Sequence, residues 1–332
     1  MLGVALLGAG RIGQVHARSV AEHREARLTL VCDPNELAAS ALAREHGARW
    51  SAEPQDALDD PSVDAVIIAS ATATHTDLLR RSVLAGKKVL CEKPIDLDIA
   101  KIDRCWAEIA GHAPFVLVGF NRRFDATFRE IHQRVSAGEI GTIRALRITS
   151  RDPAPPPRAY LEGSGGMFRD MTIHDFDMAR FFLGDVVEVQ ATASTDGLEM
   201  FETIGDHAQA SIVLRASSGA LCTITNSRSC AYGYDQRLEA FGDLGSLEAG
   251  NLTVTAVRAA NKAMTEAAGP TLHFFVERYA AAYKAEFAEF VEAIAEDRDP
   301  VVGFADGRAA MVLAEAASTS VRTRTVVTIA EQ

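Results

Sequence analysis

Short apolar runs alternate with amphipathic stretches through the first third of the chain. Val4-Ala5-Leu6-Leu7, Leu28-Thr29-Leu30-Val31-Cys32, Val63-Asp64-Ala65-Val66-Ile67-Ile68-Ala69, Lys88-Val89-Leu90-Cys91 and Phe115-Val116-Leu117-Val118-Gly119-Phe120 have strand length. Runs apolar at nearly every position fit strands covered on both faces. Between them, residues 14–22, 36–46, 76–85 and 99–110 place apolar side chains at helical spacing, with a short strand at Ala48-Arg49-Trp50 and a helix over 54–58. Strand and helix in alternation predict a parallel sheet with helices on both faces.

From Ile143 onward the period changes to two. Strands are expected over 143–150, 186–195, 208–214, 220–226, 236–241 and 252–257, with Ser217-Ser218-Gly219 and Gly242-Asp243-Leu244-Gly245 as turns. Alternation of this kind predicts a mostly antiparallel open sheet with one covered face. Tyr279, Tyr283, Phe287, Phe290 and Val291 form a core-type stripe on a helix over 278–296; a helix over 305–319 and a strand over 325–329 follow. The fold class is therefore α/β followed by α+β, with domains 1–121 and 122–332 and a C-terminal segment that packs back on the first.

Composition narrows the function. The 332 residues are 48% hydrophobic, enough for two cores, and the net charge of -11 argues against nucleic acid or an anionic membrane surface as partner. Five cysteines without a C-x-x-C pair read as reduced thiols in a cytoplasmic protein with no metal framework. No stretch approaches the roughly 18 apolar residues of a membrane span, and no basic segment precedes the first apolar run as in a signal peptide.

The chemistry begins at Gly8-Ala9-Gly10-Arg11-Ile12-Gly13, between the first strand and the first helix. Gly8 allows the tight turn, Gly10 lets backbone N–H groups approach a pyrophosphate, and Gly13 lets helix and strand pack closely. Asp33 ends the second strand about 20 residues on, where a carboxylate accepts ribose hydroxyls and repels a 2′-phosphate. This is a Rossmann dinucleotide site that prefers NAD to NADP. Ser70, Thr72 and His75 follow the third long strand, a place suited to a loop against the dinucleotide, although His75 also reads simply as a helix start. Glu92-Lys93-Pro94 follows the next strand, and an ammonium at Lys93 would stabilise an alkoxide as hydride leaves, unless it is one more solvated lysine. Arg122 and Arg123 either bind substrate or pair with nearby acids.

In the second half, Gly165-Gly166-Met167-Phe168-Arg169-Asp170-Met171-Thr172-Ile173-His174-Asp175-Phe176-Asp177 stands out. If everything after the glycines is helical, Asp170, His174 and Asp177 share one face while Met171, Met178 and Phe182 pack inward. An imidazole with a carboxylate one turn away is a candidate general acid/base, and a buried structural histidine is the plainer reading. Asp152, on the proline-stiffened loop Arg151-Asp152-Pro153-Ala154-Pro155-Pro156-Pro157, is a candidate polyol ligand, as is an exposed tyrosine at the turn Cys230-Ala231-Tyr232-Gly233-Tyr234-Asp235.

Taken together, Gly8-Ala9-Gly10-Arg11-Ile12-Gly13, Glu92-Lys93-Pro94, and Gly165-Gly166 followed by Asp170 and His174 resemble the Gfo/Idh/MocA oxidoreductase family over essentially the whole chain. Within it, Cys91-Glu92-Lys93-Pro94-Ile95-Asp96-Leu97-Asp98, Gly119-Phe120-Asn121-Arg122-Arg123-Phe124-Asp125 and Tyr232-Gly233-Tyr234-Asp235-Gln236-Arg237 are similar to bacterial myo-inositol 2-dehydrogenases. The resemblance implies a catalytic trio of Lys93, Asp170 and His174, and coenzyme contacts from Gly8, Gly10, Arg11, Ile12, Gly13, Asp33, Ser70, Thr72, His75, Glu92 and Lys93. It also implies a polyol held by Lys93, Arg123, Asp152, Asp170, His174, Asp177 and Tyr234, NAD as hydride acceptor, and a homotetramer formed through the open sheet. A different cyclitol or a pyranose would suit the same residues. Residues 259–270 are the least family-like.

Overall fold

The computed structural model describes residues 1–330. The chain divides into two compact units, Met1–Phe124 with Ala281–Met311, and Asp125–Ala280 with Val312–Gln332.

The first unit is built on a sheet of six parallel strands: β1 (Leu2–Leu7), β2 (Ala26–Cys32), β3 (Arg49–Ser51), β4 (Ala65–Ile68), β5 (Lys88–Cys91) and β6 (Val116–Val118), in the order β3-β2-β1-β4-β5-β6. The order reverses direction between β1 and β4, the switch point at which such sheets take ligands. Helices α1 (Arg11–Glu22), α2 (Glu36–Glu45), α3 (Pro54–Asp59), α4 (His75–Leu84) and α5 (Ile99–Ile109) fill the crossovers. Leu6, Ile67 and Leu90 are fully buried, as expected of strands sandwiched between helices. Asn35 caps α2 by accepting from Ala38 N at 3.2 Å, and Asp98 caps α5 by accepting from Ala100 N at 2.8 Å.

The second unit begins with α6 (Ala126–Ser136), capped by Asp125, which accepts from the amides of Thr127 and Phe128. There follow β7 (Ile143–Arg151), α7 (Arg158–Gly163), α8 (Met167–Asp170), α9 (Ile173–Leu183), β8 (Val186–Ser194), α10 (Glu199–Ile204), β9 (Gln209–Ala216), β10 (Leu221–Ser227), β11 (Asp235–Gly242) and β12 (Ser246–Ala249). A two-stranded hairpin, β13 (Arg258–Ala259) with β14 (Ala267–Ala268), precedes α11 (Phe275–Arg278); α12 (Ala280–Ala295) from Ala281 and α13 (Phe304–Thr323) up to Met311 belong to the first unit, and the rest of α13 with β15 (Val327–Thr328) to the second. The second sheet runs β12-β11-β7-β10-β9-β8-β15. All its pairings are antiparallel except β7 with β10, which is parallel.

Register fixes what this sheet presents. Leu146, Ile148, Ile212, Leu214, Cys222, Ile224, Leu238 and Ala240 are buried on one face, against which α6 and α9 pack. On the other face Gln190, Val213, Thr223, Arg147 and Glu239 lie in one row, and Glu188, Arg215, Leu221, Ala145 and Phe241 in the next. The aromatic stripe is core: Tyr279, just before α12, and Tyr283, Phe287, Phe290 and Val291 on it are all buried.

Three expectations are corrected. Residues 252–257 form no strand; only Thr253 bridges to Thr271, and Leu252, Val254 and Val257 are exposed. Their alternation has no covering layer, so it buries nothing. The last strand is two residues long, Val327–Thr328. The helix after Gly165-Gly166 is also interrupted: α8 ends at Asp170 and α9 begins at Ile173. The amide of Thr172 reaches back to Met167 O at 3.0 Å while its hydroxyl donates to Asn226 Oδ1 at 2.6 Å. Met171 and Thr172 keep right-handed helical dihedrals, and the five-residue reach of the Thr172 amide is a wide turn that breaks the regular hydrogen-bond ladder. Met171, Met178 and Phe182 are buried as expected.

Candidate active site

In the first unit, the carboxyl ends of β1, β2, β4 and β5 are tied together. A Cβ on Gly8, whose φ is +110°, would lie 2.5 Å from Ala69 O, and one on Gly13 would lie 2.0 Å from Gly8 O. Both glycines are therefore required by close backbone approach. Gly10 has nothing within 4 Å of an added Cβ, so this side of the turn is open. No side chain caps the start of α1, leaving its first amides available to an anion. Asp33 Oδ2 accepts from Ala9 N at 2.7 Å and Oδ1 from Asn35 N at 2.8 Å, which fixes the carboxylate beside the glycine turn. An open glycine face, a helix N-terminus and an oriented carboxylate fit the pyrophosphate and ribose of a dinucleotide. Arg11 is exposed and Ile12 half-buried at the first turn of the helix.

Several neighbours do supporting work. Ser70 Oγ hydrogen-bonds Thr74 Oγ1 at 2.7 Å, and Thr72 begins a short 3-10 turn. His75 is buried, with Nδ1 2.8 Å from Pro94 O and Nε2 3.1 Å from Ser70 O; both ring nitrogens join the two loops. Glu92 is buried and accepts from His16 Nε2 at 2.8 Å. Lys93 is half-buried, its amide donates to Glu92 Oε2 at 3.3 Å, and its bond to Pro94 is cis. Arg123 is buried and pairs with Asp306 at 2.9 Å while also donating to Val301 O.

In the second unit, Asp170 and His174 are half-buried and Asp177 is buried. The Asp170 carboxylate receives Tyr160 Oη on Oδ1 at 2.7 Å and Arg228 Nη1 on Oδ2 at 3.2 Å. Asp175 is fully buried and joins α9 to two strands, accepting from Ser150 Oγ at 2.6 Å and from Asn226 Nδ2 at 2.7 Å. Asp152 is half-buried, its amide bonded to Ser227 O at 2.9 Å. The exposed tyrosine of the 230–235 turn is Tyr232, which donates to Asp235 at 2.6 Å. Tyr234, just before β11, is only 6% exposed and packs edge-on against Phe274 and Tyr279. Tyr160, Arg228, Asp175 and Asn226 were not singled out from the sequence: nothing adjacent to them marks their roles.

All five cysteines are buried and unpaired. Burial pushes the Cys32 thiol up to about 12 and that of Cys105 up to about 11, so neither supplies a thiolate nucleophile at neutral pH.

Residues 2–120 match the family described as "Oxidoreductase family, NAD-binding Rossmann fold", and residues 128–248 match "GFO/IDH/MocA C-terminal domain". The chain belongs to the Gfo/Idh/MocA oxidoreductases. It is 42% identical to an inositol 2-dehydrogenase of Rhizobium meliloti, covering 98% of each chain. It is 40% identical to a myo-inositol 2-dehydrogenase of Thermotoga maritima, covering 99% of this chain and 98% of that one. A solved myo-inositol dehydrogenase from Corynebacterium glutamicum superposes with a TM-score of 0.97 at 47% identity over 100% of both chains. This member of the family is an NAD-dependent oxidoreductase whose second domain is a mixed, mostly antiparallel sheet. Among its described residues no helix is long and apolar enough to cross a membrane.

Proposed function

We propose that the protein oxidises myo-inositol to 2-keto-myo-inositol, with NAD as hydride acceptor. The observation that carries this reading is the full-length likeness to myo-inositol dehydrogenases, at 47% identity in the solved case. Bound NAD supplies the nicotinamide carbon that accepts the hydride. In this reading His174 accepts the proton of the hydroxyl being oxidised, and Asp170 orients the imidazole. Lys93 holds the same oxygen and offsets its developing negative charge. The ring carbon loses a hydride and its hydroxyl loses a proton, leaving a ketone, NADH and a protonated histidine. Asp152 and Asp177 accept hydrogen bonds from other ring hydroxyls. Gly8, Gly10, Arg11, Ile12, Gly13, Asp33, Ser70 and Thr72 serve the coenzyme. His75 and Glu92 also serve the coenzyme, and Arg123 and Tyr234 the polyol, each held in place by the bonds and packing given above.

A panel of myo-, scyllo- and chiro-inositol and pyranose sugars, each with NAD and NADP, tests the reading by NADH absorbance. Fastest turnover is expected with myo-inositol and NAD; turnover confined to pyranoses would overturn it. Asp33→Ser is expected to weaken NAD and narrow the preference over NADP, each by about tenfold, because a hydrogen-bonding group and a like-charge repulsion are both lost. An unchanged preference would show that this carboxylate does not read the ribose.

The same proposal places the enzyme in the cytoplasm, in keeping with its unpaired cysteines, and assembles four copies through the open sheet face. Val213, Leu221 and Phe241 are exposed there among the ion pairs Arg147–Glu239 and Arg215–Glu188. Sedimentation is expected to give a tetramer, and Phe241→Asp a smaller species. A monomeric wild type ends this part.

A further inference from the structure

The turn that carries Asp170 is too short to hold itself. α8 has four residues, and a single helical turn fixes more backbone than its hydrogen bonds repay. What fixes it is side chains from three other segments. At its start, Met167 N donates to Asp206 Oδ1 at 2.8 Å, beside Gly166, whose φ is +84° and whose missing Cβ would sit 3.0 Å from that oxygen. At its end, the Asp170 carboxylate is gripped on both oxygens, by Tyr160 and by Arg228.

Each grip has its own support. Tyr160 lies on α7, beyond the proline run, and its neighbour Leu161 is buried against Phe201 and Ala208. With Leu161 anchored, Tyr160 is 53% exposed as a whole residue, while its hydroxyl is turned inward onto Asp170 and away from solvent. Arg228 is 1% exposed, a burial that a guanidinium tolerates only with counter-charges. It has two, Asp170 at 3.2 Å and Asp206 at 3.6 Å. Its Nε and Nη2 make no hydrogen bond among the described residues, so its one directional bond is the one to Asp170.

We infer that Tyr160 and Arg228 are positioning residues for the oxidation: they orient the Asp170 carboxylate and share its charge, and so set how strongly Asp170 favours protonated His174. The inference rests on the roles given above to Asp170 and His174. Tyr160 on α7 and Arg228 after β10 meet the carboxylate directly, Asp206 after α10 faces Arg228 at 3.6 Å, the Asp152 charge after β7 reaches Tyr160, and His174 and Asp177 follow Asp170 in sequence on α9. Burial, then the Asp170 charge, pushes the Tyr160 phenol well above its usual range, so it remains a donor throughout the working range.

The sign follows. Without the Tyr160 donor, more of the Asp170 charge acts on the imidazole and favours its protonated form. The catalyst must be unprotonated to accept a proton, so the acid limb of kcat/KM moves to higher pH. Tyr160→Phe is expected to shift that limb upward by about half a pH unit and to lower kcat about tenfold at neutral pH, the size of one hydrogen bond to a charged group. NADH affinity and melting temperature should remain as in the wild type. Arg228→Lys keeps the charge but not the directed N–H, and should lower kcat with a smaller shift of the limb. Asp170→Asn in the same assay separates the two levels. If Asp170→Asn collapses kcat, and Tyr160→Phe then costs nothing further in that background, Tyr160 acts through Asp170. If Asp170→Asn collapses kcat but Tyr160→Phe keeps the wild-type profile, the inference falls and the assigned roles stand. If Asp170→Asn is as active as wild type, the roles fall and the inference with them.

Discussion

His174→Ala is expected to lower kcat by about 10²- to 10⁴-fold, the range for loss of a general base, while NADH affinity changes by less than about twofold. The split follows from where the residues lie. The glycine turn, Asp33 and the loops after β4 and β5 belong to the first unit, and His174 belongs to α9 of the second. Fluorescence titration with NADH reads the first quantity, and single-turnover absorbance with myo-inositol the second. Lys93→Ala should differ, because Lys93 follows β5 of the coenzyme-binding unit and the substitution removes its ammonium from that strand end; both coenzyme and turnover should suffer. If His174→Ala weakens NADH as much as it lowers kcat, the histidine is a structural residue.

The parts of this molecule that were legible in the sequence are those in which cause and effect lie close along the chain. Gly8, Gly10 and Gly13 are within one turn of each other, and the reasons for two of them are backbone clashes that any side chain would create. Strands β1, β4 and β5 are uniformly buried, so an uninterrupted apolar run announces them. Where the deciding partner is distant, the same reasoning misplaces things. Thr172 looks like an ordinary helical position, and nothing near it in sequence announces that its hydroxyl goes to Asn226, 54 residues on. Tyr232 and Tyr234 are indistinguishable in a turn until Phe274 and Tyr279, distant along the chain, pack edge-on against Tyr234. Residues 252–257 alternate as a strand does, yet alternation describes a surface and not the layer that would cover it. Tyr160 and Arg228 meet on Asp170 from 10 and 58 residues away, and neither spacing is a motif.

The same distance hides a buried acid with consequences for stability. Glu286 on α12 is 0% exposed, and neither carboxyl oxygen has a hydrogen-bond partner among the described residues. Burial pushes its pKa well above the ordinary 4.5, and the charge of Glu92 adds to the effect. Glu92 in turn is bonded to the His16 ring, which stands edge-on to Tyr283, one turn before Glu286 on α12. Below the ordinary value both folded and unfolded chains hold this proton, and the acid costs no stability. Above it the unfolded chain has released the proton and the folded chain has not. Stability is then lost at about 1.4 kcal/mol per pH unit until the folded pKa is reached. Glu286→Gln keeps the shape and removes the titration. The difference in unfolding free energy between Glu286→Gln and wild type should therefore grow in favour of the variant with each step of pH from about 6 upward. Urea denaturation at fixed protein concentration and without coenzyme measures it, and Glu286→Met should show the same slope with a different offset. Parallel pH dependence in wild type and both variants would mean that the Glu286 carboxyl is ionised in the folded enzyme and carries no buried proton.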